Sequence, residues 1–161
     1  LGVAVDTPFG ALVSFDYQIQ QWSKYQRSVG RVANEPVSPG FGDTQTIKVG
    51  AEYRLPFIPV IDITARAGLA LQNAMTADQI GTYNYLDNDK TKIGGGFSLF
   101  IPQNFLVRVP TQIDVGVQYQ IWKDRDTVKA SKALESSDKN YVNYTYGGNV
   151  LIFSVGATWR M

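Results

Sequence analysis

The chain has 161 residues, a net charge of +1 and neither cysteine nor histidine, so disulfides, thiolate chemistry and ordinary zinc sites are excluded. The balanced charge, without a run of Lys or Arg, gives no sign of nucleic-acid binding. No apolar run approaches the roughly 18 residues of a transmembrane helix, and the length corresponds to one domain.

Apolar and polar residues alternate with a period of two through most of the chain, which predicts β-strands with two different faces. The alternation is clearest from Ile61 to Leu71, and in the closing segment, where every second residue from Leu151 to Met161 is apolar. In chain order the predicted strands are Leu1–Asp6, Ala11–Trp22, Asp43–Arg54, Val60–Leu71, Lys90–Ile101, Pro110–Lys123 and Gly147–Met161.

The predicted connections are alternately short and long. The short ones are Thr7–Gly10, Leu55–Pro59 and Pro102–Val109, and the long polar ones are Ser23–Gly42, Gln72–Asp89 and Asp124–Tyr146. Strands of about 10–14 residues exceed those of soluble sheets and match a tilted bilayer crossing. Outer-membrane barrels have short periplasmic turns and long extracellular loops. The pattern therefore predicts an all-β, transmembrane, antiparallel up-and-down β-barrel of the bacterial outer membrane, with long loops extracellular and the C-terminus periplasmic.

The charged residues within the strands share the polar face, which is predicted to face the lumen. A charge on the lipid face would cost roughly 2–4 kcal/mol near the bilayer midplane. The candidate lumen-lining or ligand-binding residues are Lys48, Glu52, Asp62, Arg66, Lys92 and Asp114. If a ligand carboxylate needs a cation, Lys48, Arg66 and Lys92 are the candidates. The alternative is that they pair with Asp16 and the other carboxylates of the same face.

Four aromatic residues lie near strand ends on the apolar face: Tyr17, Tyr53, Tyr119 and Trp159. Aromatic side chains of this kind form girdles at the two membrane interfaces, and we expect the same arrangement here. The competing interpretation is a soluble barrel of the lipocalin kind with its apolar face turned inward, which would be extracted without detergent.

Seven strands, the first of them short, cannot close a bacterial single-chain barrel, because such barrels have even strand numbers. An open edge would also leave unpaired backbone groups in lipid. Residues 1–161, which begin without an initiator Met, are therefore expected to be the C-terminal part of one barrel domain whose N-terminal half is absent. Strands supplied by other chains are the alternative.

Short motifs occur in order along nearly the whole chain. They are Leu1–Val5 with the turn at Pro8, Ser14–Tyr17 leading to Trp22-Ser23-Lys24-Tyr25, Asp43–Arg54, Ile63–Leu69, Lys92–Gly96 and Ile113–Tyr119. In this order they resemble the C-terminal half of outer-membrane long-chain fatty acid transporters of the FadL type. The terminus departs from the usual pattern, since such barrels end in Phe or Trp and this chain ends in Trp159-Arg160-Met161.

The resemblance implies a 14-stranded barrel, of which this chain supplies the last seven strands or so, and an N-terminal plug that is absent from residues 1–161. It also implies transport of long-chain fatty acids or similar hydrophobic molecules, with membrane lipid and a hydrophobic small molecule as partners. Replacement of Arg66 by a neutral residue is accordingly predicted to lower fatty acid uptake.

Two other functions stay open. The first is a structural or adaptor barrel that docks other envelope proteins, which the Tyr-rich segment Tyr141–Tyr146 suggests. The second is a general porin, which Phe100, Ile152 and the glycine-rich inner face disfavour. No enzyme is predicted, because the carboxylates are dispersed over different strands without His or Cys. No cofactor, metal or nucleic-acid partner is predicted either.

Overall fold

The structure, a computed structural model, describes residues 1–25, 41–56, 61–76, 86–103, 108–129 and 142–159. These residues form one antiparallel sheet of seven strands in which every strand pairs with its neighbours in sequence. The strands are β1 (Gly2–Asp6), β2 (Ala11–Gln20), β3 (Thr44–Leu55), β4 (Asp62–Gln72), β5 (Lys90–Ile101), β6 (Thr111–Lys129) and β7 (Val142–Trp159). The predicted all-β, up-and-down arrangement is confirmed, and the sheet is open between β1 and β7.

The strand register sorts the residues into two faces. Direct register partners are either both even-numbered, as in Glu52 with Arg66, or both odd-numbered, as in Val49 with Leu69. This rule holds as far as Trp122 of β6 and its partner Gly148 of β7. Because successive side chains of a strand point to opposite faces, the even-numbered residues share one face, here called the inner face. The odd-numbered residues share the other, the outer face.

The outer face is apolar over a band of matched length in successive strands. Within each of five segments, all odd-numbered residues lack a charge and a side-chain amide: 47–55, 63–71, 93–101, 113–121 and 151–159. At the end nearer the long connections the band stops at a polar row formed by Gln45, Asn73, Asp89, Lys123 and Asn149. The pattern of the sequence thus becomes a continuous apolar belt in the sheet.

Burial in this sheet is the reverse of that in a soluble protein. On the inner face, Ser98 and Thr46 are only 5% and 7% exposed, whereas Phe153 and Val155 of the outer face are 74% and 78% exposed. Among the described residues no apolar side chain is buried. Polar side chains that crowd together opposite apolar side chains that splay apart indicate a curved sheet with a concave, polar inner face.

The connections at the two ends differ as predicted. The turn that joins β1 and β2 is closed by the Gly10 amide, which donates to the Thr7 carbonyl at 3.0 Å, with Gly10 at φ 79°. A residue with a side chain adopts such a φ only at a cost, so glycine suits this turn. The connections after β2, β4 and β6 all lie at the opposite end, which we call the long-loop end.

The ends of β6 and β7 were predicted wrongly. The interval Asp124–Tyr146 was expected to be a loop, but β6 continues to Lys129 and β7 begins at Val142. The two strands pair beyond a register shift between Trp122 and Arg125. The backbone ladder extends there although the alternation of apolar residues, on which the prediction depended, has ended. The remainder of that interval, 130–141, lies outside the described residues.

The other strands agree with their predicted bounds within two residues. Trp22, predicted as the end of the second strand, instead begins a 3-10 turn, Trp22–Lys24. The predicted loop interiors 26–40 and 77–85, and the terminal Arg160 and Met161, fall outside the part of the chain that the structure describes. Within that part, no helix has the length and hydropathy needed to cross a membrane.

Candidate functional site

A shallow groove of about 450 Å³ crosses the middle of the inner face. Lys48 and Lys92 lie on its side nearer the long-loop end, and Arg66 and Asp114 lie on the other side. Of the six candidate residues predicted from the sequence, these four line the groove, while Glu52 contacts Arg66 and Asp62 lies closer to the short turns. All six are on the inner face.

Arg66 is the centre of a charged network that links four strands. Its Nε lies 2.5 Å from Oε2 of Glu52 on β3, and a terminal nitrogen lies 3.6 Å from Oδ1 of Asp114 on β6. Arg66 also donates to the Ser98 hydroxyl on β5, which donates in turn to Asp114. Gln112 Nε2 donates to the same Asp114 oxygen at 3.0 Å. The guanidinium charge is therefore balanced by two carboxylates.

Lys48 and Lys92 have different surroundings. Lys48 Nζ donates to Gln18 Oε1 at 3.4 Å, and Lys92 Nζ donates to Gln72 Oε1 at 3.2 Å. No carboxylate of the described residues lies within ion-pair distance of either ammonium, although Asp16 is the direct register partner of Lys48. Both lysines keep a positive charge on the groove that these neighbours do not neutralise.

The floor between the lysines and Arg66 is almost bare backbone. Gly50, Gly68 and Gly94 are direct neighbours across three strands, and Gly96 pairs with Gly116 beside them. A Cβ at Gly96 would lie 2.5 Å from the Val115 carbonyl oxygen. A side chain is therefore excluded at Gly96, whereas a Cβ at Gly68 or Gly94 would lie 3.3 or 3.4 Å from the nearest backbone oxygen. The absence of side chains along this row leaves the groove open.

The remaining charged candidate, Asp62, forms an ion pair with Arg54 near the short turns. The side chains of Arg54 and Asp62 are 68% and 45% exposed. An exposed pair of this kind contributes about 0–1 kcal/mol. We therefore do not include Asp62 in the groove.

The four predicted girdle aromatics all lie on the outer face, in two groups. Tyr17 and Tyr119 are in its half nearer the long-loop end, and Tyr53 and Trp159 are in its half nearer the short turns. The Tyr17 hydroxyl donates to Gln45 Oε1 at 3.1 Å, so the ring lies on the apolar band and its hydroxyl reaches the polar row. An amphipathic ring at such a boundary is typical of a membrane interface.

A buried polar cluster at the long-loop end was not predicted. Thr76, Asp87 and Asn88 are 4%, 6% and 1% exposed. The Asn88 amide donates to the carbonyls of Lys123 and Tyr146 at 2.9 Å each, and an Arg125 nitrogen donates to the Thr76 carbonyl at 2.6 Å. The contacts tie the segment before β5 to β4, β6 and β7. The sequence signal was the run Asp87-Asn88-Asp89, which indicates only a turn.

Lys90 connects this cluster to the sheet. Its ammonium pairs with Asp87 and lies 4.6 Å from the centre of the Trp122 ring. A cation over an aromatic face is attracted by the ring quadrupole. In the described residues no group of three or more His, Cys, Asp or Glu side chains is arranged to hold a metal ion.

Comparison with known proteins gives one informative match. No family model matches the chain. The chain is similar to alkane uptake protein A of Marinobacter nauticus, with 29% identity over 122 residues. The matched stretch covers 75% of this chain and 25% of that protein, so the chain spans about a quarter of the length of this relative.

Proposed function

We propose that this sheet is part of a transmembrane β-barrel of the bacterial outer membrane that takes up hydrophobic molecules. The observation that carries the proposal is the inverted burial: the apolar face is the exposed, convex one and the charged face is concave. In a soluble barrel of the lipocalin kind the concave face would be the apolar one. In a membrane barrel the apolar face contacts lipid and the polar face lines the interior.

The dimensions of the apolar band support the proposal. From Ile47 to Leu55 the outer face of β3 advances eight residues, which is roughly 27 Å at about 3.4 Å per residue. A strand tilt of about 40° reduces this to a height of roughly 21 Å, close to the ~25 Å apolar band of outer-membrane barrels. The same nine-residue span recurs in β4, β5, β6 and β7.

The open edges of β1 and β7 fit the proposal only if other strands pair with them. In lipid, an unpaired row of backbone N–H and C=O groups would cost several kcal/mol per group. We therefore propose that the sheet belongs to a larger closed barrel, and 14 strands is the number that the resemblance to fatty acid transporters implies. Long loops outside and short turns in the periplasm complete the proposed arrangement.

The substrate class is drawn from similarity. The relative is named for alkane uptake, and the motifs of this chain resemble transporters of long-chain fatty acids. An alkane and a long-chain fatty acid both consist largely of a hydrocarbon chain, and we propose that a molecule with such a chain is what this protein takes up. The proposal includes no catalytic role.

Uptake by living cells tests this function. Cells that lack the gene should accumulate radiolabelled hexadecane or palmitate more slowly than cells that carry it, with labelled glucose as the control for general permeability. The protein should also sediment with outer membranes and need detergent for extraction. The proposal would be contradicted if cells with and without the gene accumulated hexadecane at the same rate and palmitate at the same rate. Extraction of the protein without detergent would also contradict it.

A second candidate function, the docking of another envelope protein, is favoured by the extension of β6 and β7. The pair continues past Lys123, where the apolar band ends, to Lys129, about six residues or roughly 20 Å of additional ladder. Tyr144 and Tyr146, with ring centres 5.6 Å apart, lie on this extension. Copurification of a partner that is lost when the extension is shortened, with uptake unchanged, would favour this alternative.

A further inference from the structure

We propose that a cavity at the long-loop end binds a calcium ion through side-chain oxygens of Asn88, Asp89 and Asp124. The three residues line one cavity of about 330 Å³, at the point where the extension of β6 and β7 begins. The ion would hold the segment before β5 against β6 and β7, whatever molecule the protein transports. The cavity is separate from the inner-face groove, with which it shares no residue.

A β-bulge places Asp124 at this cavity. The register shifts between Trp122 and Arg125, where two residues of β6 lie opposite the single residue Gly147 of β7. Bulges of this kind re-aim a side chain and are common next to functional sites. A Cβ at Gly147 would overlap Asp124 Oδ1, so the carboxylate fills the space that a side chain on β7 would take. The bulge and the glycine together fix the position of this carboxylate.

Asn88 supplies a buried oxygen that lacks a hydrogen-bond donor. The residue is 1% exposed, and its amide nitrogen donates at 2.9 Å to the carbonyls of Lys123 on β6 and Tyr146 on β7. These two bonds determine which end of the side chain is the oxygen. Oδ1 accepts no hydrogen bond from the described residues. A buried acceptor without a partner destabilises the fold, and a bound cation would remove this cost.

Two carboxylates border the same cavity. Asp89 Oδ1 accepts a hydrogen bond from the Ala74 backbone N–H at 2.9 Å, which orients the carboxylate and leaves its second oxygen available. No Lys or Arg of the described residues lies within ion-pair distance of Asp89 or Asp124. Calcium prefers carboxylate and amide oxygens, and water molecules can complete its 6–8 ligands. The donor set at the cavity is of this type.

Two cationic residues, Lys123 and Arg125, also border the cavity and limit the expected affinity. An Arg125 nitrogen donates to the carbonyls of Thr76 and Asp87 at 2.6 and 3.2 Å, and Lys123 belongs to the polar row of the outer face. Since the two positive residues balance the two carboxylates, we expect a Kd of roughly 10⁻⁴–10⁻³ M, as in extracellular calcium modules. Magnesium should bind more weakly, because it needs near-ideal octahedral geometry.

The test measures calcium binding to the complete purified protein in nonionic detergent, after bound ions have been removed with EGTA. Isothermal titration with CaCl₂ should give a saturable signal. Addition of about 10 mM CaCl₂ should raise the thermal unfolding midpoint by a few degrees, because an ion that binds only the folded protein stabilises it. The same concentration of MgCl₂ should give a smaller rise.

Four variants locate the ion. Asp124→Asn and Asp89→Asn each remove one negative ligand and should lower the calcium affinity on the order of tenfold. Gly147→Ala keeps every ligand but displaces the Asp124 carboxylate, so it should lower the affinity as well. Asp126→Asn is the matched control, because this carboxylate lies two residues further along β6, outside the cavity, and accepts a hydrogen bond from Thr145 at 2.6 Å. It should leave the affinity unchanged.

Saturable calcium binding that weakens in Asp124→Asn and persists in Asp126→Asn supports the site. Equal midpoint shifts with CaCl₂ and MgCl₂, or the same loss of affinity in Asp126→Asn, would overturn it. Absence of calcium binding by the wild-type protein would overturn it without any variant, and Asp89→Asn and Gly147→Ala provide the comparison if Asp124→Asn does not fold. Because binding is measured on the purified protein, a failure of uptake in cells would contradict the proposed function without deciding this result.

Discussion

Gly96 shows how closely the strands approach beneath the groove. A Cβ at this position would lie 2.5 Å from the Val115 carbonyl oxygen and 3.1 Å from the Gly116 Cα, and both atoms belong to backbone that cannot rotate away. Its neighbour Gly95, on the outer face, would meet only the Arg66 carbonyl oxygen at 3.4 Å, an ordinary contact. A side chain is therefore excluded at Gly96 but not at Gly95.

We predict that Gly96→Ala destabilises the protein by about 1–3 kcal/mol, because the β5–β6 ladder must open to admit the methyl group. Gly95→Ala is the matched control and should change the free energy of unfolding by less than about 0.5 kcal/mol. Urea unfolding in detergent micelles, followed by tryptophan fluorescence, measures both. Equal free energies of unfolding for the two variants would contradict the close approach of the β5 and β6 backbones at Gly96.

The charged network makes a second prediction, at Arg66. Arg66→Gln leaves the Glu52 and Asp114 carboxylates on the concave face without their shared cation, and should cost roughly 1 kcal/mol of unfolding free energy, because two partly exposed ion pairs are lost. Arg54→Gln breaks the exposed pair with Asp62 and should cost about 0–1 kcal/mol. We also expect slower palmitate uptake by the Arg66 variant, as predicted from the sequence. Normal uptake by a folded Arg66→Gln protein would exclude a transport role for this residue.

The charged residues of the inner face show how much of the candidate site the sequence predicts. The period of two was sufficient to assign Lys48, Glu52, Asp62, Arg66, Lys92 and Asp114 to one face. It could not distinguish Arg66, which forms ion pairs, from Lys48, whose ammonium donates to Gln18. Register does not distinguish them either, because Lys48 lies directly opposite Asp16 just as Arg66 lies opposite Glu52. The positions of the side-chain ends decide which pairs form, and the alternation does not give these positions.

Among the elements, the 3-10 turn Trp22–Lys24 is attached to the start of β3 by one carboxylate. Asp43 Oδ1 accepts a hydrogen bond from the Ser23 backbone N–H at 2.9 Å. Hydrogen bonds from the Ser23 hydroxyl and the same N–H lower the pKa of Asp43 below its ordinary value, desolvation opposes them, and the nearby Lys24 charge adds to the lowering. Asp43 precedes β3 and lies beyond the apolar band.

This attachment should respond to acid. Since the pKa of Asp43 is lowered in the folded protein, the contact contributes fully above the carboxyl's ordinary pKa and is lost as the pH falls through the lowered value. We predict that the amide proton shift of Ser23, measured by NMR in micelles, titrates below the ordinary aspartate range. Asp43→Asn should abolish the titration. A midpoint at or above the ordinary aspartate value would contradict the hydrogen bonding described.

The strands themselves were largely predictable, and the exception has a physical cause. Within the band, every strand must present apolar residues to one side, so the alternation is strict and marks its ends. Beyond the band, β6 and β7 pair through Arg125 and Tyr146 without a strict alternation of apolar and polar residues, and they are held by the backbone ladder and by contacts with the polar cluster around Asn88. The same absence of alternation hid the contacts of Asn88, which depend on three separate segments.

For the molecule as a whole, the two faces imply a position relative to a membrane. The apolar belt ends at the row of Gln45, Asn73, Asp89, Lys123 and Asn149, and the Tyr17 ring lies at this boundary. The extension of β6 and β7 and the polar cluster around Asn88 lie on the far side of the row. If the belt contacts lipid, the row marks one water interface, and the short turns mark the other.

Cysteine scanning can test this position directly, because the chain has no cysteine. Each variant carries one cysteine on β7. Positions Leu151, Phe153 and Val155 are on the outer face, and positions Ile152 and Ser154 are on the inner face. We predict that the three outer-face cysteines resist a charged, water-soluble maleimide in intact membranes but react with a lipid-soluble one, since about 25 Å of apolar belt excludes the charged reagent. A cysteine at Asn149, in the polar row, should react with both.

The effect of removing lipid on the outer-face cysteines separates the proposed barrel from a soluble barrel. In a barrel with a water-accessible interior, Ile152→Cys and Ser154→Cys react with the charged reagent while their outer-face neighbours do not, so reactivity follows the period of two. In a soluble barrel with its apolar face inward, the outer-face cysteines are again the protected ones, but they stay protected after the lipid is removed. Repeating the labelling in detergent-free buffer and in membranes therefore distinguishes protection by lipid from protection by protein, and only the first agrees with a sheet whose apolar face is its exposed face.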